Sequence, residues 1–118
     1  MEEYDSIFVS VHLNKFTTTA ARGTQVFYSP NFVAAEVLGE CIQKAVTRHL
    51  QPDNKRLIKR GYDSTYLLKN AKVPAVIVEC GFLSNNTDLN NLKDTEYQRK
   101  MAFCISAGIM NYYKVSGQ

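Results

Sequence analysis

The chain has 118 residues, enough for one compact domain and not for two. Hydrophobic residues make up 45% and charged residues 21%, an ordinary globular balance that argues against disorder. Net charge is +3 with the cations scattered, so there is no nucleic-acid footprint, and no apolar run approaches the roughly 20 residues of a membrane span. The opening Met1-Glu2-Glu3-Tyr4-Asp5 is acidic and lacks the basic-then-apolar pattern of a signal peptide.

Ile7-Phe8-Val9-Ser10-Val11-His12 reads as a first strand, apolar on both faces and so interior to a sheet. His12 closes it and Asn14 follows. Lys15 to Gly23, rich in Thr and Ala, has no periodicity and reads as an exposed loop. Thr24-Gln25-Val26-Phe27-Tyr28 is a short alternating strand ended by Ser29-Pro30.

From about Phe32 to Leu50 the period becomes helical, with Ala34, Leu38, Cys41, Ile42, Ala45 and Val46 in one stripe. Asn31 is the expected N-cap and Pro52 marks the end. His49, near the helix end, favours the dipole there. The basic cluster Lys55, Arg56, Lys59 and Arg60 reads as a solvated surface. Thr65-Tyr66-Leu67-Leu68 reads as another short strand.

Val73 to Val78 is an apolar, β-branched run of strand length, followed by Glu79 and a glycine turn. Pro74 fits only near its start. The polar stretch after Asn85 ends at Asp94-Thr95, which caps a last helix with the stripe Tyr97, Met101, Ala102, Ile105, Ile109 and Tyr112. Gly108 on this helix predicts close packing against the sheet. Cys41, Cys80 and Cys104 have neither zinc-finger nor CxxC spacing and read as buried thiols. The order predicts an α/β layered single domain, a mixed and mostly parallel sheet flanked by helices.

His12 and Glu79 each close a buried strand. If those strands are parallel neighbours, both side chains open into one crevice, beyond the carboxyl ends where α/β sheets bind ligands. Two readings stand for Glu79: a strand-end carboxylate paired with a Lys or capping a helix, or a proton acceptor. Two also stand for His12: a satisfied structural histidine, or a metal ligand.

Ser10-Val11-His12-Leu13-Asn14 resembles the S-[IV]-H-x-N motif of the zinc-dependent N-acetylmuramoyl-L-alanine amidases. Pro74 to Asn85 resembles their P-A-[VIL]-[LI]-V-E-x-G-F-[LI]-S-N motif, and Gly23 with Val26-Phe27-Tyr28 their G-x-x-x-F-Y strand. The resemblance runs from about Asp5 to Tyr113, and Leu50 to Leu68 is most similar to the spore germination branch. It implies a phosphorylase/hydrolase-like fold and hydrolysis of the muramic acid–L-alanine amide of peptidoglycan. It implies His12 as a zinc ligand, Glu79 as the catalytic carboxylate, and Asn14 as a substrate-binding group or a support to the site, against a plain loop-capping role. It also implies an extracytoplasmic setting, the cell wall or spore cortex.

The family's D-P-G-H-G segment, which supplies a first histidine, and the glutamate that follows it do not occur in these 118 residues. The expectation is a C-terminal part of the amidase domain with an incomplete zinc site. It would be inactive alone, with surfaces left bare through which oligomers form. The alternatives are a non-catalytic cell-wall or partner-binding remnant of the fold, and another zinc hydrolase such as a carboxypeptidase.

Overall fold

The computed structural model describes residues 6–14, 21–61 and 66–116. In chain order they form β1 (Phe8–Asn14), β2 (Gln25–Tyr28), α1 (Val33–His49), β3 (Lys59–Arg60), α2 (Tyr66–Lys69), β4 (Ala75–Phe82), α3 (Asn86–Lys93) and α4 (Thr95–Val115). The strands make one sheet in the order β1-β4-β2-β3. β1 is parallel to β4 and β3 to β2, while β2 runs antiparallel to β4. This is the expected mixed, mostly parallel sheet.

β4 is the centre, buried along its length except at Glu79. Its Val76, Val78 and Cys80 face α1 and α4 and join Val26, Leu38, Ile42 and Met101 in the main core. Each fully buried valine is worth about 1.5–3 kcal/mol of transfer free energy. On the other face Ala75 and Ile77 pack, among the described residues, with Phe27, Leu68 and Ala71. The long helices therefore cover one face, and the face carrying Glu79 is lightly roofed by α2.

Several elements differ from the sequence expectation. β1 is not interior: among the described residues it is the edge strand, with Val11 55% and Leu13 54% exposed. Ile7 and Val9 still pack against the main core, whereas Val11 and Leu13 further along lie open. Tyr66–Lys69 is a helical turn and not a strand, because only Leu68 of Tyr66, Leu67 and Leu68 is buried (Thr65 lies outside the described residues). Asn31 does not cap α1. Its amide donates to the Lys69 carbonyl at 2.7 Å, and Phe32 takes the N-cap position without a side-chain bond.

The polar stretch after Asn85 is helical as α3, capped by the Asn85 side chain accepting from the Asp88 N–H. Asp94 caps α4 as expected, accepting from Tyr97 N–H at 3.1 Å. The buried stripe of α4 is Met101, Cys104, Ile105, Gly108 and Tyr112, with Ala102 turned to solvent. Gly108 packs against α1 and not the sheet. A Cβ there would stand 2.6 Å from the Ile42 Cα. Cys80 and Cys104 are buried, but Cys41 is only partly so.

Candidate active site at the carboxyl end of the central strand

β1 and β4 lie side by side, and their parallel register sets His12 directly opposite Glu79. Residues paired across a sheet point to one face, so the imidazole and the carboxylate share the lightly roofed side. An irregularity after His12 shifts the register, bringing Asn14 opposite Phe82. The Asn14 side chain and residues 15–20 of the expected groove loop lie outside the described residues.

His12 is exposed, and its Nε2 shares a 2.6 Å hydrogen bond with Ser10 Oγ. That contact holds one ring nitrogen, and no second partner of the ring stands among the described residues. A ligating imidazole is ordinarily oriented in this way through its second nitrogen. Glu79 is half-buried, and desolvation raises its pKa while the nearby His12 pulls it partly back. Its Oε1 is buried with no hydrogen-bond partner among the described residues. Such an orphaned acceptor normally costs stability, which favours its use as a proton or ligand acceptor over a structural ion pair.

On the other side of β4, Gln25 of β2 pairs with Glu79 in register. Its amide donates to the Leu57 carbonyl at 2.6 Å and its Oε1 accepts from Arg56 Nη1 at 3.2 Å. Arg56 Nε donates to the Arg22 carbonyl at 2.9 Å, and the guanidinium lies 4.7 Å from the centre of the Phe82 ring. Asp88 Oδ2 accepts from the N–H groups of Gly23 (2.8 Å) and Phe82 (2.9 Å). One carboxylate thereby ties the turn after Glu79 to the entry of β2, where Gly23 has φ +91°.

Sequence reasoning missed Gln25, Arg56 and Asp88. Asp88 carried a usable signal, since it stands three residues after the capping Asn85. Arg56 corrects the solvated-cluster reading: it is half-buried, while Lys55, Lys59 and Arg60 are exposed as expected. Cys80, beside Glu79, is buried and its pKa is pushed up to about 11 by desolvation and the carboxylate. It is a core thiol and not a nucleophile.

With this geometry in hand, the family described as N-acetylmuramoyl-L-alanine amidase matches residues 2–111. The chain belongs to that family. A germination-specific N-acetylmuramoyl-L-alanine amidase of Bacillus subtilis is 32% identical over 94% of this chain and 46% of its own length. The amidase LytC of B. subtilis is 29% identical over 92% of this chain and 22% of its own. Among solved structures, the CwlD amidase of Clostridioides difficile, in complex with the GerS lipoprotein, superposes with a TM-score of 0.87. It is 39% identical, over 92% of this chain and 55% of that one. AmiC2 of Nostoc punctiforme gives 0.82 at 26% identity, over 92% and 58%. The chain thus spans about half the length of these relatives or less, and within that span it carries the amidase fold.

The amidase family is zinc-dependent in general. Among the described residues no group of three or more His, Cys, Asp or Glu side chains is placed to hold a metal. A catalytic zinc takes about three protein ligands. His12 offers one imidazole, and the only other histidine, His49, ends α1. The described residues do not by themselves fit a closed zinc site.

Proposed function

We propose that these residues are the part of an N-acetylmuramoyl-L-alanine amidase domain that brings the proton-transferring carboxylate, Glu79, and one metal-ligating imidazole, His12. The substrate is peptidoglycan, cut at the amide between muramic acid and L-alanine, outside the cytoplasm in the cell wall or spore cortex. The observation that carries this reading is the in-register pairing of His12 with Glu79, whose buried Oε1 has no partner among the described residues. A carboxylate with a raised pKa is suited to take a proton from water attacking the amide carbonyl. It then returns that proton to the leaving L-alanine amine. The register of Asn14 opposite Phe82 supports a place for it at the border of this crevice.

The donor set on these residues is partial, so zinc is the cofactor of the completed domain. The 118 residues alone bind it weakly and do not hydrolyse peptidoglycan. The exposed Val11 and Leu13 on β1, the edge strand among the described residues, support association of this chain through that strand.

The reading is tested by grafting residues 2–111 into the matching region of the germination-specific relative and measuring new amino termini released from peptidoglycan. The graft is expected to be active. Glu79→Gln and His12→Ala are each expected to lower its activity by about 10²-fold or more. An active Glu79→Gln graft would remove the proposed role. A graft that folds but never cleaves, while cleavage appears in the parent relative, would favour a wall-binding remnant.

A further inference from the structure

A cavity of about 440 Å³ opens at the same end of the sheet as Glu79, displaced toward α3 and α4. Neither His12 nor Glu79 lines it. Its wall includes Arg22, Gly23, Lys55, Arg56, Asp88 and Tyr97. Two of the charges are already matched. Arg22 pairs with Asp53 at 3.3 Å, and Asp88 Oδ2 is taken by the Gly23 and Phe82 N–H groups.

Arg56 differs from these. Its backbone N–H is held by Asn54 Oδ1 at 2.8 Å, its Nε by the Arg22 carbonyl and its Nη1 by Gln25 Oε1, while the Phe82 ring supports its flat face. No carboxylate pairs with it among the described residues. The guanidinium is thus held in place and half-buried, with further N–H donors of its fork unused among the described residues, and Arg56 lines the cavity. A fixed fork of this kind suits a planar anion, because the ordering of a long side chain has been met by protein contacts before the ligand arrives.

Its position says which anion. Gln25 joins Arg56 to Glu79, since it bonds the first and stands in register beside the second. One strand spacing is about 4.8 Å, so with the side chain of Gln25 the fork lies about two extended residues from the carboxylate. We infer that the Arg56 cavity is a subsite for a carboxylate on the peptide side of the amide substrate, about two residues beyond the bond to be cut. The inference deepens the amidase reading and rests on it for the choice of ligand. The peptide carboxylate then sets how far the leaving peptide reaches from Glu79.

The test titrates the isotope-labelled 118-residue chain by NMR with N-acetyl-L-alanyl-L-alanine, with its C-terminal carboxamide, and with acetate. The carboxylate peptide is expected to shift the Gly23, Arg56 and Asn91 amides. The carboxamide and acetate are expected to bind about tenfold more weakly or worse. Arg56→Lys, which keeps the charge and loses the fork, and Arg56→Gln are both expected to weaken the peptide. Lys59→Gln, exposed on β3, leaves it unchanged, and the dispersion of the spectrum reports whether each variant is folded. Equal binding of peptide and carboxamide would overturn the inference. So would equal binding of acetate, or undiminished binding by a folded Arg56→Gln chain. The readout contains no hydrolysis, so peptide binding can fail while Glu79→Gln still abolishes cleavage in the graft, and the reverse.

Discussion

Gln25 and Glu79 face each other across the β2–β4 pair; Gln25 has its polar atoms met, while Glu79 Oε1 has no partner among the described residues. Burial raises the Glu79 pKa and the nearby His12 partly offsets this, so folding disfavours the charged carboxylate relative to the unfolded chain. A raised carboxyl pKa contributes stability that is present below the unfolded value and lost as pH rises through the folded one. Glu79→Gln is therefore predicted to raise the melting temperature at pH 7 and to leave it nearly unchanged at pH 3. The gain is under about 1 kcal/mol because the side chain is half solvated. Thermal unfolding of both proteins from pH 3 to 8 checks this, and a destabilised Glu79→Gln at pH 7 would contradict it.

Gly108→Ala is predicted to lower stability by about 1–3 kcal/mol. The added Cβ would meet the Ile42 Cα at 2.6 Å and the Cys41 carbonyl at 3.0 Å. Both belong to the α1 backbone, which cannot rotate away as a side chain can, so α1 and α4 must separate. Denaturant unfolding gives the number.

Gln43→Met is predicted to cost about 2–5 kcal/mol. Gln43 is buried, accepts from Val26 N–H at 3.0 Å and donates to the Thr24 carbonyl at 3.0 Å. It serves the start of β2 as a neighbouring strand would, and a thioether strands both backbone groups. Far-UV circular dichroism during urea unfolding measures the loss.

The thiols should react in order of exposure. Cys41 is partly exposed, whereas Cys80 is buried with its pKa pushed up to about 11 and Cys104 is buried. One thiol per chain is predicted to react with a disulfide reagent in the native state, with the others following only on unfolding. Mass spectrometry locates the label, and early modification of Cys80 would contradict the placement.

Much of this was legible in the sequence because the informative signals were strong. The Val73–Val78 run, the helical stripes and the Asp94 cap all point to the elements found. The adjacency of His12 and Glu79 depended on parallel pairing of two distant strands, which composition only allowed and the motif resemblance made expected. What escaped was tertiary. An apolar β1 reads the same whether it is covered or at an edge, and Leu68 alone could not declare Tyr66–Lys69 helical. Arg56 looked like its exposed neighbours Lys55 and Lys59 because its partners are a carbonyl and an amide far off in sequence. Gln25 and Gln43 carry no local signal at all, since their work is to satisfy groups that only the assembled sheet creates.

The central claim is that these residues hold one part of a zinc amidase centre, and metal content tests it most directly. The 118-residue chain would be dialysed against trace zinc and its zinc per chain measured by elemental analysis, with His12→Ala beside it. The account predicts far less than one zinc per chain for both. About one tightly held zinc per chain, lost in His12→Ala, would contradict it, because a complete ligand set would then exist within these residues or between copies of them.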